Sequence, residues 1–88
     1  MICYRIYTEN KNLHKIRSAV KSFFPQGATI YDTHGIFEGS IEESVVIELI
    51  VSQERETDVM NLAKDIKVLN EQIAVKITSV HLLSDITV

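Results

Sequence analysis

The 88-residue chain predicts a single α+β domain, residues 1–88, with elements in the order β-α-β-β-α-β. Three observations predict it. Apolar residues alternate at a period of two near both ends and in the middle of the chain. They recur at helical spacing in two intervening segments, and Pro25, Gly27, Gly35 and Gly39 punctuate the runs. A chain of this length buries roughly 60 to 65% of its unfolded surface, so its core is marginal. Hydrophobic residues make up 45% and aromatics only 7%, so the apolar content is mainly Val, Ile and Leu, which suits sheet and helix packing and argues against disorder.

The first strand is Ile2 to Thr8, where Ile2, Tyr4 and Ile6 alternate with Cys3, Arg5 and Tyr7. Asn10 or Asn12 caps the next segment, in which Leu13, Ile16, Val20 and Phe23 or Phe24 recur on one helical face. That helix ends before Pro25, and FPQG reads as the loop that stops it. A second strand runs from about Ala28 to Ile36 and a third from about Ser44 to Val51. In the third, Val45, Ile47, Leu49 and Val51 form one face, while Val46 and Ile50 on the other flank only Glu48. Both faces read as buried. Two helices cover one face of such a sheet, so the second apolar face predicts a cover from another subunit or a ligand.

The segment ERETDVMNLAKDIKVLN places Val59, Leu62, Ala63, Ile66 and Leu69 on one stripe, with Thr57 or Ser52 as caps and Glu56 and Asp58 at the positive end of the helix dipole. Asn70 suits the left-handed residue that closes the helix, and Gln72 to Leu83 is the fourth strand. The tail Ser84 to Val88 adds a short edge strand, on this or a neighbouring subunit. Right-handed crossovers around both helices turn this order into a ferredoxin-like βαββαβ plait, a four-stranded antiparallel sheet with two helices on one face.

Several function classes are disfavoured. No apolar run approaches the ~20 residues of a membrane-spanning helix, and Met1 to Arg5 lacks a secretory pattern, which points to a cytoplasmic setting and no membrane partner. The net charge of −3 disfavours nucleic acid as a partner. The charge is uneven: Lys11, Lys15, Arg17 and Lys21 occur without an acid, either as a solvated helix face or facing phosphate. Cys3 has no disulfide partner, and His14, His34 and His81 share no ligand spacing with it, so no metal site is assigned. No nucleophile elbow, phosphate-cradling loop or zinc signature is present, so the sequence assigns no catalytic residue and no cofactor.

The junction Thr33 to Ser44 is the candidate site. It reads as a hairpin tip longer than a tight turn needs, with Gly35 or Gly39 permitting a bulge or a close backbone approach. Phe37 between them packs on a sheet or contacts a ligand. Glu38, Glu42 and Glu43 read as solvated charge in the absence of a catalytic partner. Glu48 needs a partner if buried, and Arg5 on the adjacent central strand supplies one. His34 reads as an ordinary histidine or as a donor to a phosphate, and Tyr7 stacks on a ligand or a subunit. The ligand-binding set is therefore Arg5, Tyr7, Lys15, Thr33, His34, Gly35, Phe37, Gly39 and Ser44.

FPQGATIYDTHGIFEG, EESVVIELIV and LNEQIAV together resemble small, uncharacterised ferredoxin-like proteins of bacteria and their phages. The topology is also similar to PII-like signalling proteins and CutA-like trimers. That resemblance implies a homo-oligomer whose hairpins and intersubunit clefts bind nucleotides, anions or metals, although no PII-type glycine-rich nucleotide loop is visible here. The leading expectation is a non-enzymatic homo-oligomer, assembled through its sheet face, that binds a nucleotide or other small phosphorylated molecule. On a phage it would act as a sponge for a nucleotide immune signal. The alternatives are an interaction module that inhibits a host protein and a small dimeric plait enzyme using a His or Tyr. RNA recognition is weaker, because the third strand offers no aromatic platform.

Overall fold

Alternating apolar residues build β1 over Ile2–Glu9 in the computed structural model, which describes residues 1–88. It is followed by α1 over Leu13–Phe23, β2 over Thr29–Phe37, β3 over Ser40–Val51, α2 over Glu56–Leu69 and β4 over Lys76–His81. The strands form one antiparallel sheet in the order β2-β3-β1-β4, with β1 and β3 central. Both helices pack on one face, so the architecture is the ferredoxin-like plait. Ile6, Ile47 and Leu49 of the sheet meet Ile16, Leu62 and Ile66 of the helices, all with no exposed surface. No helix is long and apolar enough to cross a membrane.

The helices are joined at both ends by side chains reaching across them. Arg55 donates to the Phe23 carbonyl at the C-terminus of α1 (2.9 Å), pairs with Asp58 (2.6 Å) and lies over the Phe24 ring (4.6 Å). A cation there also meets the negative end of the α1 dipole. At the other end Asn12 takes a left-handed backbone (φ 52°) and its Nδ2 donates to the Leu69 carbonyl at 2.9 Å. This departs from the expected cap: neither Asn10 nor Asn12 caps α1 with its side chain, because that of Asn12 is engaged with α2. Ser52 and Thr57 do not cap α2 either. Gln53–Arg55 form a 3₁₀ turn that leads into the helix, while Glu56 and Asp58 occupy its first turn as expected.

Helix α2 closes differently from the expectation for Asn70. Asn70 keeps φ −93°, and Glu71 takes the left-handed step at φ 52°. The reason is burial. Asn70 is sealed beneath β1, where its Nδ2 donates to Thr8 Oγ1 (2.9 Å) and the Glu9 carbonyl (3.0 Å), and Thr8 in turn donates to Gln72 Oε1. Drawing Gln72 under β1 delays β4, which starts at Lys76 and ends at His81, not at 72 and 83. Beyond it, Leu82 makes the last ladder-like bond, from its N–H to the Met1 carbonyl (3.1 Å), and residues 84–88 form no strand.

The largest correction concerns the β2–β3 connection. Residues 33–44 are not an elongated loop: the ladder runs unbroken from Thr29↔Glu48 to Phe37↔Ser40. Glu38 (φ 49°) and Gly39 (φ 79°) alone close it, both with the positive φ of a type I′ turn. Gly35 lies in register opposite Glu42 with no bulge. What is long is the hairpin itself. β1 pairs with β3 only as far as Ser44, so the stretch from His34↔Glu43 to Phe37↔Ser40 projects as a two-stranded arm.

Candidate functional site on the open sheet face

Directly paired residues of an antiparallel sheet share a face, so the register decides what the uncovered face presents. Cys3, Arg5 and Tyr7 of β1 lie beside Ile50, Glu48 and Val46 of β3. Tyr31, Thr33, Gly35 and Phe37 of β2 continue the face on one side, and Lys76, Thr78 and Val80 of β4 on the other. Tyr7, Tyr31, Phe37, Ile50 and Val80 are all exposed, and Val46 is half-buried. The expectation that both faces are buried therefore holds only for the helix-covered one in the isolated chain, because both helices lie on that side.

The centre of the open face is polar. Arg5 and Glu48 are register partners, and Arg5 donates through Nε (3.1 Å) and Nη2 (3.0 Å) to Oε1. The Tyr31 hydroxyl donates to Oε2 at 3.1 Å and the Cys3 thiol to Oε1 at 3.6 Å. The partial burial of Glu48, whose side chain is 14% exposed, pushes its carboxyl up, but the hydrogen bonds from Arg5, Tyr31 and Cys3 outweigh that and hold it below its ordinary value. Burial, reinforced by the neighbouring carboxylate, raises the Cys3 thiol, so it stays protonated and poorly nucleophilic. The hydrogen bond to Glu48 raises the Tyr31 phenol.

Two smaller polar groups flank this centre. Toward β4, the Thr78 hydroxyl lies 3.5 Å from Tyr7 Oη, and Lys76 Nζ stands 5.8 Å from the centre of the Tyr7 ring. Toward the arm, the Thr33 and Ser44 hydroxyls bond each other at 2.8 Å.

Among the residues marked from sequence, Arg5, Tyr7, Thr33, Gly35, Phe37 and Ser44 share this face. Gly39 is at the tip of the arm. His34 points to the opposite face as the partner of Glu43, and Lys15 is exposed on α1, in the helix layer. Tyr31, Lys76, Thr78 and Val80 were not marked. Alternation along β2 carries the signal for Tyr31, which shares parity with Thr33. The β4 residues carry no such signal, because their place depends on a register that local sequence does not encode.

No protein-family model matches the chain, and no curated protein sequence matches it. Solved structures do. A DUF3240 family protein from Shewanella baltica OS155 superposes with a TM-score of 0.75 at 10% identity, covering 99% of this chain and 94% of that one. Arabidopsis thaliana PII bound to citrate gives 0.72 at 18% identity, covering 92% and 76%. A phage SAM lyase in its apo state gives 0.69 at 18% identity, covering 89% and 78%. At such identities the likeness is one of fold, and the fold that this chain shares is the small ferredoxin-like, PII-like plait.

Proposed function

We propose that the protein is a non-enzymatic homo-oligomer that binds a small phosphorylated molecule, of the nucleotide class, against its open sheet face. The observation that carries this reading is the placement of Arg5 and Lys76 with the hydroxyls of Tyr7 and Thr78 on one exposed face, bordered by aromatic rings. A guanidinium, an ammonium and hydroxyl donors suit phosphate oxygens, and the faces of Tyr7, Tyr31 or Phe37 suit a base. Glu48 spans the other side of Arg5 and sets the orientation of its guanidinium. The PII neighbour is a plait bound to citrate, another compact polyanion, which makes an anion a reasonable ligand for this scaffold.

Arg5, Tyr7, Thr33, Phe37 and Ser44 of one subunit would contribute, with Gly35 leaving room beside them. His34, Gly39 and Lys15 face elsewhere and would reach such a ligand only from a neighbouring subunit. Sequestration of a nucleotide signal fits a site that needs affinity and no chemistry. Calorimetry against inorganic phosphate, mononucleotides and cyclic dinucleotides tests the reading. Heat is expected for at least one phosphorylated compound, with affinity lost on the order of tenfold or more in Arg5→Ala and Lys76→Ala, since a charge-assisted hydrogen bond contributes more than about 1.4 kcal/mol. No heat with any compound refutes it.

A second reading, a small plait enzyme, is favoured by Glu48. An ionised carboxylate bonded to Tyr31 suits a cationic substrate that displaces Arg5 from it, through charge and ring face together. The phage neighbour is named as a lyase of SAM, a sulfonium cation. Incubation with SAM, followed by mass spectrometry of the small molecules, decides it: product formation that Glu48→Gln abolishes would replace the binding reading.

A further inference from the structure

The arm beyond β1 exposes Ile36 at 80% and Ile41 at 75%, a directly opposed pair on the helix-side face of the β2–β3 ladder, next to Glu43. A two-stranded ribbon with no third strand is marginal in water, and two isoleucines at its end are a cost unless something covers them. Nothing within the chain does.

On the opposite edge of the sheet, also on the helix side, an open groove lies between α2 and β4. It has two adjoining lobes of about 370 Å³ and about 230 Å³ that share Met60, Val75 and Ile77. The second lobe is flanked by Lys64 and Lys67 of α2. It lies near the start of β4, where Lys76 pairs with Tyr7, the same end of the sheet from which the arm projects.

We infer that the arm of one copy docks in the α2–β4 groove of the next. Ile36 and Ile41 fill the apolar floor, and Glu43, on the same face of the arm, meets Lys64 and Lys67. Two features argue for a second copy as the occupant. The charges are complementary at the second lobe, with Glu43 on the docking face of the arm and Lys64 and Lys67 on the groove. The two surfaces also lie at opposite edges of one sheet, beside β2 and beside β4, so one chain cannot satisfy itself. A head-to-tail contact of this kind makes a ring where the rotation between copies closes and a filament where it does not, and the inference is the closed form. The inference rests on the homo-oligomeric part of the proposed function and specifies which surfaces make the contact.

Native mass spectrometry of the whole chain and two variants tests it. The unaltered chain is expected as a ring of at least three 10.0 kDa subunits. Ile36→Lys with Ile41→Lys removes the arm contact, and Met60→Glu with Lys64→Glu removes the groove contact. All four positions lie on the surface or outside the three-stranded part of the sheet, so circular dichroism should confirm retained folding. Each variant alone is expected to lose the ring. Mixed in equal amounts, they retain one good arm and one good groove between them and are expected to form a one-to-one heterodimer.

If the unaltered chain is oligomeric and both variants keep its mass, the arm–groove contact is refuted while the oligomeric reading stands. If the unaltered chain is a monomer, both are refuted. If deletion of residues 83–88 dissolves the oligomer and the arm changes do not, the exposed tail is the occupant and the inference fails.

Discussion

The two faces of the sheet are made from the same strands, yet they differ in almost every physical respect. On the helix-covered face Ile6, Val45, Ile47 and Leu49 lose all contact with water. One residue along, on the open face, Ile50 remains 39% exposed, and the centre is a carboxylate with three donors. The covered face is held by non-directional burial and the open one by directional polar bonds in partial contact with solvent. The first specifies a fold. The second leaves surface and polar groups available for a ligand or another subunit.

The widest separation between the faces should come from truncating neighbours in sequence. Leu49→Ala creates a cavity under α2 and is expected to cost about 3 kcal/mol in urea unfolding, within the roughly 2–5 kcal/mol seen for such sites. Ile50→Ala, on the open face, should cost less than about 1 kcal/mol at concentrations where the chain is monomeric. An equal loss at both positions would mean that the open face is already covered within the chain.

Asn70→Ala comes next. It removes a buried donor from Thr8 and the Glu9 carbonyl and is expected to destabilise by about 1–3 kcal/mol in the same assay. It tests whether the covered side, too, depends on a directional latch at its rim.

The pH dependence probes the open face. The carboxyl of Glu48 is held below its ordinary value in the folded chain, so at intermediate pH the unfolded chain binds more protons there. The stability Glu48 contributes is present above its ordinary value of 4.5 and is lost as pH falls through its lower folded value. Glu48→Gln should therefore show a shallower loss of stability on acidification than the unaltered chain, measured by thermal melts between pH 6 and pH 3. Identical slopes would show that Arg5 and Tyr31 do not hold the carboxylate.

The smallest effects belong to the arm, which projects beyond the end of β1. Gly39→Ala forces a side chain onto φ 79° and should cost about 1 kcal/mol or less. Glu38→Asn relieves the strain at φ 49° and should stabilise by about 0.5 kcal/mol, consistent with the preference for Asn-Gly in such turns.

Much of the candidate site was legible before the fold was known. The Arg5–Glu48 pair follows from a topology that places the first and third strands side by side, together with an acid that interrupts an apolar face. Arg5 and Tyr7 were marked by residue type at strand parity, and Phe37 as an aromatic between two glycines. The hairpin was misread because glycines, an aromatic and three carboxylates in 33–44 look like loop chemistry. Cross-strand pairing of Ile36 with Ile41 and of Thr33 with Ser44 keeps the segment extended. The closing residues of α2 were misplaced because the side chain of Asn70 has a buried task that outweighs its backbone preference.

The amino-acid order by itself determined the element types, the plait, the apolar stripes of both helices and the presence of a second greasy strand face. These depend on local periodicity, which each segment carries within itself. Tertiary structure alone decided where β4 begins, which β4 residues join Arg5, that the hairpin is a projecting arm, and that a groove lies open beside α2. Those features depend on register and on contacts between residues distant in the chain, where a shift of one position exchanges the two faces.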